Sequence, residues 1–208
     1  MKNIITAAVI GLASVGTSNA ATIVNGGFEL PGNFSGGFQT YGAGSSNLTG
    51  WTIDSGSVDH INTYWLPSEG NYSLDMSGGS AGSISQMITN LVVGSWYTVF
   101  FDMAGNTAGG NAIKSLSASL SNGGGTFTFD TTGWTLATMG WFTKGFAFQA
   151  SSSSSLLTFT SNETDAYGAA LDNVRIVEKV AAVPVPAAGG LLLAGLGLLG
   201  FARRRKAA

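Results

Sequence analysis

Apolar and polar side chains alternate with a period of two through the middle of the chain. Thr126-Phe127-Thr128-Phe129-Asp130 alternates strictly, and so does Ser115-Leu116-Ser117-Ala118-Ser119-Leu120. Phe142, Phe146 and Phe148 share one parity, and Leu157-Thr158-Phe159-Thr160 repeats the pattern. Such alternation places one set of side chains on each face of a pleated strand. Residues 95–103 are more continuously apolar, which predicts a strand covered on both faces. Further strands are expected at 50–54, 57–61, 72–76, 82–89 and 170–177. No stretch holds a 3.6-residue period over three turns. Gly, Ser and Asn clusters at 35–37, 77–79, 106–111, 122–125 and 151–155 punctuate the strands. About ten short strands at this spacing predict an all-β fold, a jelly-roll β-sandwich.

The two ends break the pattern. Lys2, an apolar run over 4–15 and Ser18-Asn19-Ala20 read as a signal peptide over 1–20, cleaved after Ala20. The globule is expected over 21–179. Residues 180–186 form a linker and a box, Val183-Pro184-Val185-Pro186. Residues 187–202 are uncharged and predict a transmembrane helix, and the basic residues of 203–208 predict a cytoplasmic tail. The globule would then lie outside the cell.

Charge sharpens this division. Of nine basic residues, five lie at the ends: Lys2, Arg203, Arg204, Arg205 and Lys206. The region between carries four bases against eleven acids, a net −7. That leaves no electrostatic case for nucleic acid as a partner. The chain has 31 Gly and no Cys, so disulfides and Cys-ligated metals are excluded.

Two kinds of chemistry can be weighed on the residues alone. A lectin-like site needs exposed rings for the apolar face of a sugar and polar groups for its hydroxyls. Asp59, His60, Asn62, Tyr64, Trp65, Glu69 and Asp75 supply that mixture, with Trp51 near in sequence and Trp134 and Trp141 bracketing a second loop. Tyr64 and Trp65 either meet a ligand or pack inward. Asp75 either faces ligand or caps backbone. Catalysis has little to build on. Asp59 and the only histidine, His60, are adjacent and would point to opposite faces of a strand. Gly78-Gly79-Ser80-Ala81-Gly82 has the letters of a nucleophile elbow but no helix to follow it. No enzyme activity is expected.

The tail, with its Val-Pro-x-Pro-Ala box, Gly/Leu stretch and Arg cluster, resembles a PEP-CTERM sorting signal of the VPLPA type, with Val185 in place of Leu. The resemblance implies that an exosortase-type enzyme recognises Pro184 and Pro186 with Arg203, Arg204 and Arg205 behind. It also implies surface sorting in a Gram-negative bacterium that makes exopolysaccharide. An uncleaved single-span anchor is the alternative.

In the globule, Asn25-Gly26-Gly27-Phe28-Glu29, Gly50-Trp51-Thr52, the 70–78 run Gly-Asn-Tyr-Ser-Leu-Asp-Met-Ser-Gly and Ala170-Leu171-Asp172-Asn173-Val174 occur in that order. Together they resemble the choice-of-anchor C family, which is similar to domain-of-unknown-function family 642. The resemblance implies a galactose-binding-like jelly roll without catalytic activity and with a glycan-related role. It further implies one structural Ca²⁺ where the chain ends meet, held by Asn25, Glu29 and Asp172. The alternative is that these carboxylates satisfy backbone N–H groups. The resulting expectation is an exported, surface-sorted module binding polysaccharide; the rival is a structural or adhesion matrix protein binding another protein.

Overall fold

The computed structural model describes residues 20–179. The expected signal peptide up to residue 19, the sorting box, the expected transmembrane helix and the basic tail therefore lie outside the described residues. No helix among the described residues is long and apolar enough to cross a membrane.

Eleven strands follow in order: β1 (Phe38–Gly42), β2 (Thr52–Ser55), β3 (Ser57–Ile61), β4 (Ser73–Asp75), β5 (Ser83–Ile88), β6 (Trp96–Gly105), β7 (Ile113–Leu120), β8 (Gly123–Asp130), β9 (Phe142–Gln149), β10 (Ser155–Ser161) and β11 (Ala169–Glu178). They form two antiparallel sheets, ordered β1-β3-β4-β11-β6-β9 and β2-β5-β10-β7-β8, which make the jelly-roll sandwich. Every strand read from alternation is present within a few residues.

The alternation works as expected. Leu116, Ala118 and Leu120 of β7 are buried, as are Leu157 and Phe159 of β10. From the facing sheet come Val99, Phe101 and Met103 of β6. Phe101 meets Phe159 and Phe127 edge-on, with centroids 5.1 and 5.0 Å apart. Burying each such ring stabilises the sandwich by about 1.5–3 kcal/mol, so Phe159→Ala would weaken the contact between the sheets. The chain ends meet at β11, where Val174 N–H donates to the Gly26 carbonyl at 2.9 Å.

Two elements depart from the expectation. β1 was not foreseen, because Phe-Gln-Thr-Tyr-Gly lies on a sheet edge with only Tyr41 buried, so burial imposes no alternation. The glycines of 122–125 are in strand β8, not in a turn. A side chain at Gly123 would strike the Ala147 carbonyl and Phe148 of β9, so the sheets approach too closely there for any other residue.

Candidate functional site

The register sets the site. Thr40, Asp59, Asp75 and Ala170 are successive partners across β1, β3, β4 and β11. Two residues along each strand, Asp172 of β11 pairs with Asp102 of β6, and Asp102 with Thr143 of β9. By parity these side chains share the face turned away from the five-stranded sheet, while His60, Leu74, Leu171 and Met103 point inward. One face of the six-stranded sheet thus carries four carboxylates.

Half of that face is covered by a strap formed by the 62–72 loop. Trp65 is 2% exposed, and its indole N–H donates to Ser73 Oγ at 2.8 Å. Trp141 Nε1–H donates to the Leu66 carbonyl at 3.0 Å. Asp172 Oδ2 accepts from the N–H groups of Ser68 and Glu69 at 2.8 and 3.0 Å. Glu29 Oε1 accepts from those of Asn71 and Tyr72 at 2.8 and 3.0 Å. Asp102 accepts from Ser68 Oγ, Thr143 Oγ1 and Asn173 Nδ2. Burial draws Asp102 upward, but these bonds and the nearby Arg175 outweigh it and hold the carboxyl below its ordinary value. Burial pushes Asp172 up to about 7, against the pull of its N–H donors.

The uncovered half is a groove of about 240 Å³ lined by Phe38, Asp59, Ile61, Tyr64, Asp75, Asn106, Ala166 and Tyr167. Phe38 and Tyr64 meet edge-on at 5.5 Å, and Phe38 and Tyr167 are exposed. Asp59 accepts a 2.5 Å hydrogen bond from Thr40 on Oδ1. Partial burial raises its carboxyl above the ordinary value. Asp75 lies deeper. Oδ1 accepts from Ser77 N–H and Gly168 N–H, and Oδ2 from Asn106 Nδ2 at 2.8 Å. Burial nevertheless pushes Asp75 up to about 7, with Asp59 opposite adding to the effect. Gly168 is required here, because a Cβ would strike Asp75 Oδ1. Lys114 rises from between the sheets, fully buried, and its Nζ donates to the Gly109 carbonyl at 2.7 Å while lying 6.0 Å from the Tyr167 ring centroid. Burial lowers the Lys114 ammonium, against the pull of Asp165, Glu163 and Asp75.

The expected site residues therefore divide. Asp59, Tyr64 and Asp75 come together in the groove. Asn62 ties the 34–36 segment through its side-chain amide, with bonds to the Phe34 and Gly36 carbonyls. Trp65 is a correction: its indole is packed against the sheet, 2% exposed with its N–H on Ser73 Oγ, so it is not an exposed platform. His60 is a second correction. It is fully buried among Phe34, Tyr41 and Tyr72, with Nε2 donating to the Phe28 carbonyl at 2.7 Å. Burial lowers its pKa, and Nδ1 has no partner among the described residues. Trp51 is core, 3% exposed. Phe38, Asn106 and Tyr167 were missed. β1 gave no sequence signal, and Asn106 and Tyr167 reach the groove only through the pairing of β11 with β4 and β6.

Asn25, Glu29 and Asp172 do not form one donor set. The Asn25 amide is spent on the Leu30 and Thr49 carbonyls and the Leu30 N–H. Glu29 and Asp172 each face N–H donors from opposite ends of the strap. Among the described residues no three His, Asp or Glu gather to hold a metal. Carboxylates ringed by N–H dipoles do not fit a cation.

A larger hollow of about 340 Å³ is lined by Thr63, Tyr64, Trp65, Leu66, Leu136 and Ala137. It contains no carboxylate or amide side chain, whereas a hollow of about 280 Å³ beside it carries the Asn62 and Asn71 amides and the smaller groove carries Asp59, Asp75 and Asn106.

Residues 21–177 match the family model described as "Protein of unknown function (DUF642)". The chain belongs to the DUF642 family. Residues 182–206 of this DUF642 chain match the PEP-CTERM protein-sorting motif, which covers Pro184, Pro186 and the Arg cluster. The DUF642 chain is 34% identical over 179 residues to halomucin of Haloquadratum walsbyi (strain DSM 16790 / HBSQ001), covering 82% of this chain and 2% of that protein. Among solved structures it is similar to the CBM22-1 xylan-binding domain of Paenibacillus barcinonensis Xyn10C, at 20% identity and a TM-score of 0.45, over 69% of this chain and 95% of that one. The tandem CBM22-1-CBM22-2 domains of the same protein match at 16% identity and a TM-score of 0.49, over 84% and 50%. A family 35 carbohydrate-binding module from Clostridium thermocellum matches at 13% identity and 0.41, over 67% and 90%.

Proposed function

We propose that this protein is an exported, surface-sorted glycan-binding module whose site is the Phe38–Tyr64–Tyr167 groove. The observation that carries the reading is the pairing of three aromatic rings at the rim with Asp59, Asp75 and Asn106 at the floor. A pyranose has an apolar C–H face and a polar edge, and this groove matches both. Asp59 is the hydroxyl acceptor: Thr40 occupies its Oδ1, and the carboxylate borders the groove. The acidic floor favours neutral sugars over uronic acids. The groove is small for a ligand site and suits one ring of a polysaccharide or its end. No bond is broken in this reading, since Asp75 is committed to N–H donors and His60 faces the other way.

The sorting motif supports delivery to the cell surface by an exosortase-type enzyme. The ligand in this reading is the cell's own exopolysaccharide or envelope glycan, in a Gram-negative host.

The test is retention of the full chain on immobilised neutral and acidic polysaccharides, followed by a glycan array. Tyr167→Ala and Asp59→Asn are expected to weaken retention at least tenfold in protein whose melting curve shows it folded under the binding conditions. Retention that survives both changes sinks the groove as the site. Absence of retention on every glycan favours a protein partner instead.

A further inference from the structure

The groove lies where β6 ends and β11 begins. The opposite pole, where β6 begins and β11 ends, has a different character. Six of the fourteen exposed large hydrophobic residues among the described residues are there: Met87, Val92, Val93, Trp96, Leu156 and Val177. Val93 is 63% exposed and Trp96 49%. Met87 and Leu156 are direct partners one residue from the ends of β5 and β10. Trp96 and Val177 share the outer face of the six-stranded sheet, diagonal to each other at its end.

Loose packing does not account for this exposure. The 91–95 turn that presents the two valines is fixed at its backbone. Leu91 N–H donates to the Ser153 carbonyl, Val92 N–H to Tyr97 Oη, Gly94 N–H to the Ala150 carbonyl and Ser95 N–H to the Val92 carbonyl. A rigid turn therefore holds apolar side chains in water. The ionisable groups nearby are Glu178 and Lys179, which cancel. The rest of the pole is uncharged Ser, Asn and Gln.

The position of this pole indicates what covers it. The Lys179 N–H donates to the Trp96 carbonyl at 2.7 Å, so the chain leaves the sandwich beside Trp96. The PEP-CTERM motif begins at residue 182 and the uncharged run at 187. Seven intervening residues can span at most roughly 25 Å when fully extended. A tail inserted in a bilayer therefore keeps this pole within that distance of the bilayer surface.

We infer that the Val92–Val93–Trp96 pole docks into the lipid interface, seating the domain on the membrane with its groove facing outward. Trp with a neighbouring Lys is the pairing that interfaces favour, and short apolar tips suit shallow insertion. The inference rests on the reading of the tail as a membrane segment.

The experiment uses the full chain in phosphatidylcholine/phosphatidylglycerol vesicles with brominated acyl chains, which quench Trp emission. The tail and signal sequence contain no Trp, so quenching reports on the globule. Trp134 lies in the β8–β9 loop at the far pole and serves as the control. Quenching is expected in the parent and in Trp134→Phe, to be lost in Trp96→Phe, and to fall in Val92→Ser/Val93→Ser. A chain that floats with vesicles but is quenched equally with and without Trp96 overturns the inference. Failure to float overturns it together with the membrane reading of the tail. A Trp96 emission shift that depends on protein concentration without lipid overturns it in favour of a second copy.

Discussion

Asp59 and Asp75 face each other directly across the β3–β4 ladder, two carboxylates at one register position. Like charges so placed oppose each other. Asp75, the deeper, is held at about 7 against 3.8 for a free side chain, chiefly by burial. The folded state thus retains a proton that the unfolded chain releases at lower pH. The stabilisation is complete below the unfolded value and is lost as pH rises toward 7. The difference corresponds to about 4 kcal/mol. Asp172 acts in the same direction, while His60, whose pKa burial lowers, acts oppositely below its unfolded value. Comparison with Asp75→Asn isolates the Asp75 part. The stability advantage of the parent over this variant is expected to be largest below about pH 4, to fall steadily as pH rises, and to be gone above about pH 7. Calorimetry showing a constant gap would contradict it.

Trp65→Ala is expected to destabilise by about 3–5 kcal/mol, because it empties a buried site and orphans Ser73 Oγ. Loss of glycan retention in this variant would therefore report unfolding. Trp65→Phe keeps most of the volume and is expected to bind like the parent under conditions where it is folded. Retention measured beside a melting curve separates the two. A Trp65→Ala protein of parental stability would show that the ring is not core.

The strands were legible because alternation is enforced wherever one face is buried, as in Leu116, Ala118 and Leu120. β1 was not, because an exposed edge strand carries no such constraint. The grouping of Asp59, Tyr64 and Asp75 along one groove was legible because they lie close in sequence. Tyr167 and Asn106 were not, since only the long-range pairing of β11 with β4 and β6 brings them there. Trp65 misled because a loop aromatic looks alike whether it faces solvent or the sheet. The indole N–H partner, Ser73, decides it.

The strap predicts how the molecule answers to calcium and to Glu29. Glu29 satisfies two N–H groups of the strap and Asp172 two more, without an ion. Calcium addition is therefore expected to leave the melting temperature unchanged, and chelator likewise. Glu29→Ala is expected to cost about 1–3 kcal/mol and to speed hydrogen exchange at Asn71 and Tyr72. A calcium-dependent rise of several degrees, abolished by Glu29→Ala, would instead establish an ion there.

Lys114 supports the groove without lining it. Its stem lies between the sheets, its ammonium holds the Gly109 carbonyl, and the Tyr167 ring lies above it. Asp165, in the loop that carries Tyr167, and Glu163 are its counter-charges. Lys114→Met keeps the packing of the stem but removes the ammonium. It leaves the Gly109 carbonyl without its donor and removes the positive charge that faces Asp165 and Glu163, a loss of about 1–3 kcal/mol. The local consequence is release of the 162–168 loop and with it the Tyr167 platform. Lys114→Met is thus expected to weaken glycan retention although it touches no ligand, with faster hydrogen exchange confined to 106–112 and 162–168. Unchanged retention with the same local loosening would show that Tyr167 binds no sugar, and unchanged exchange would show that Lys114 supports nothing.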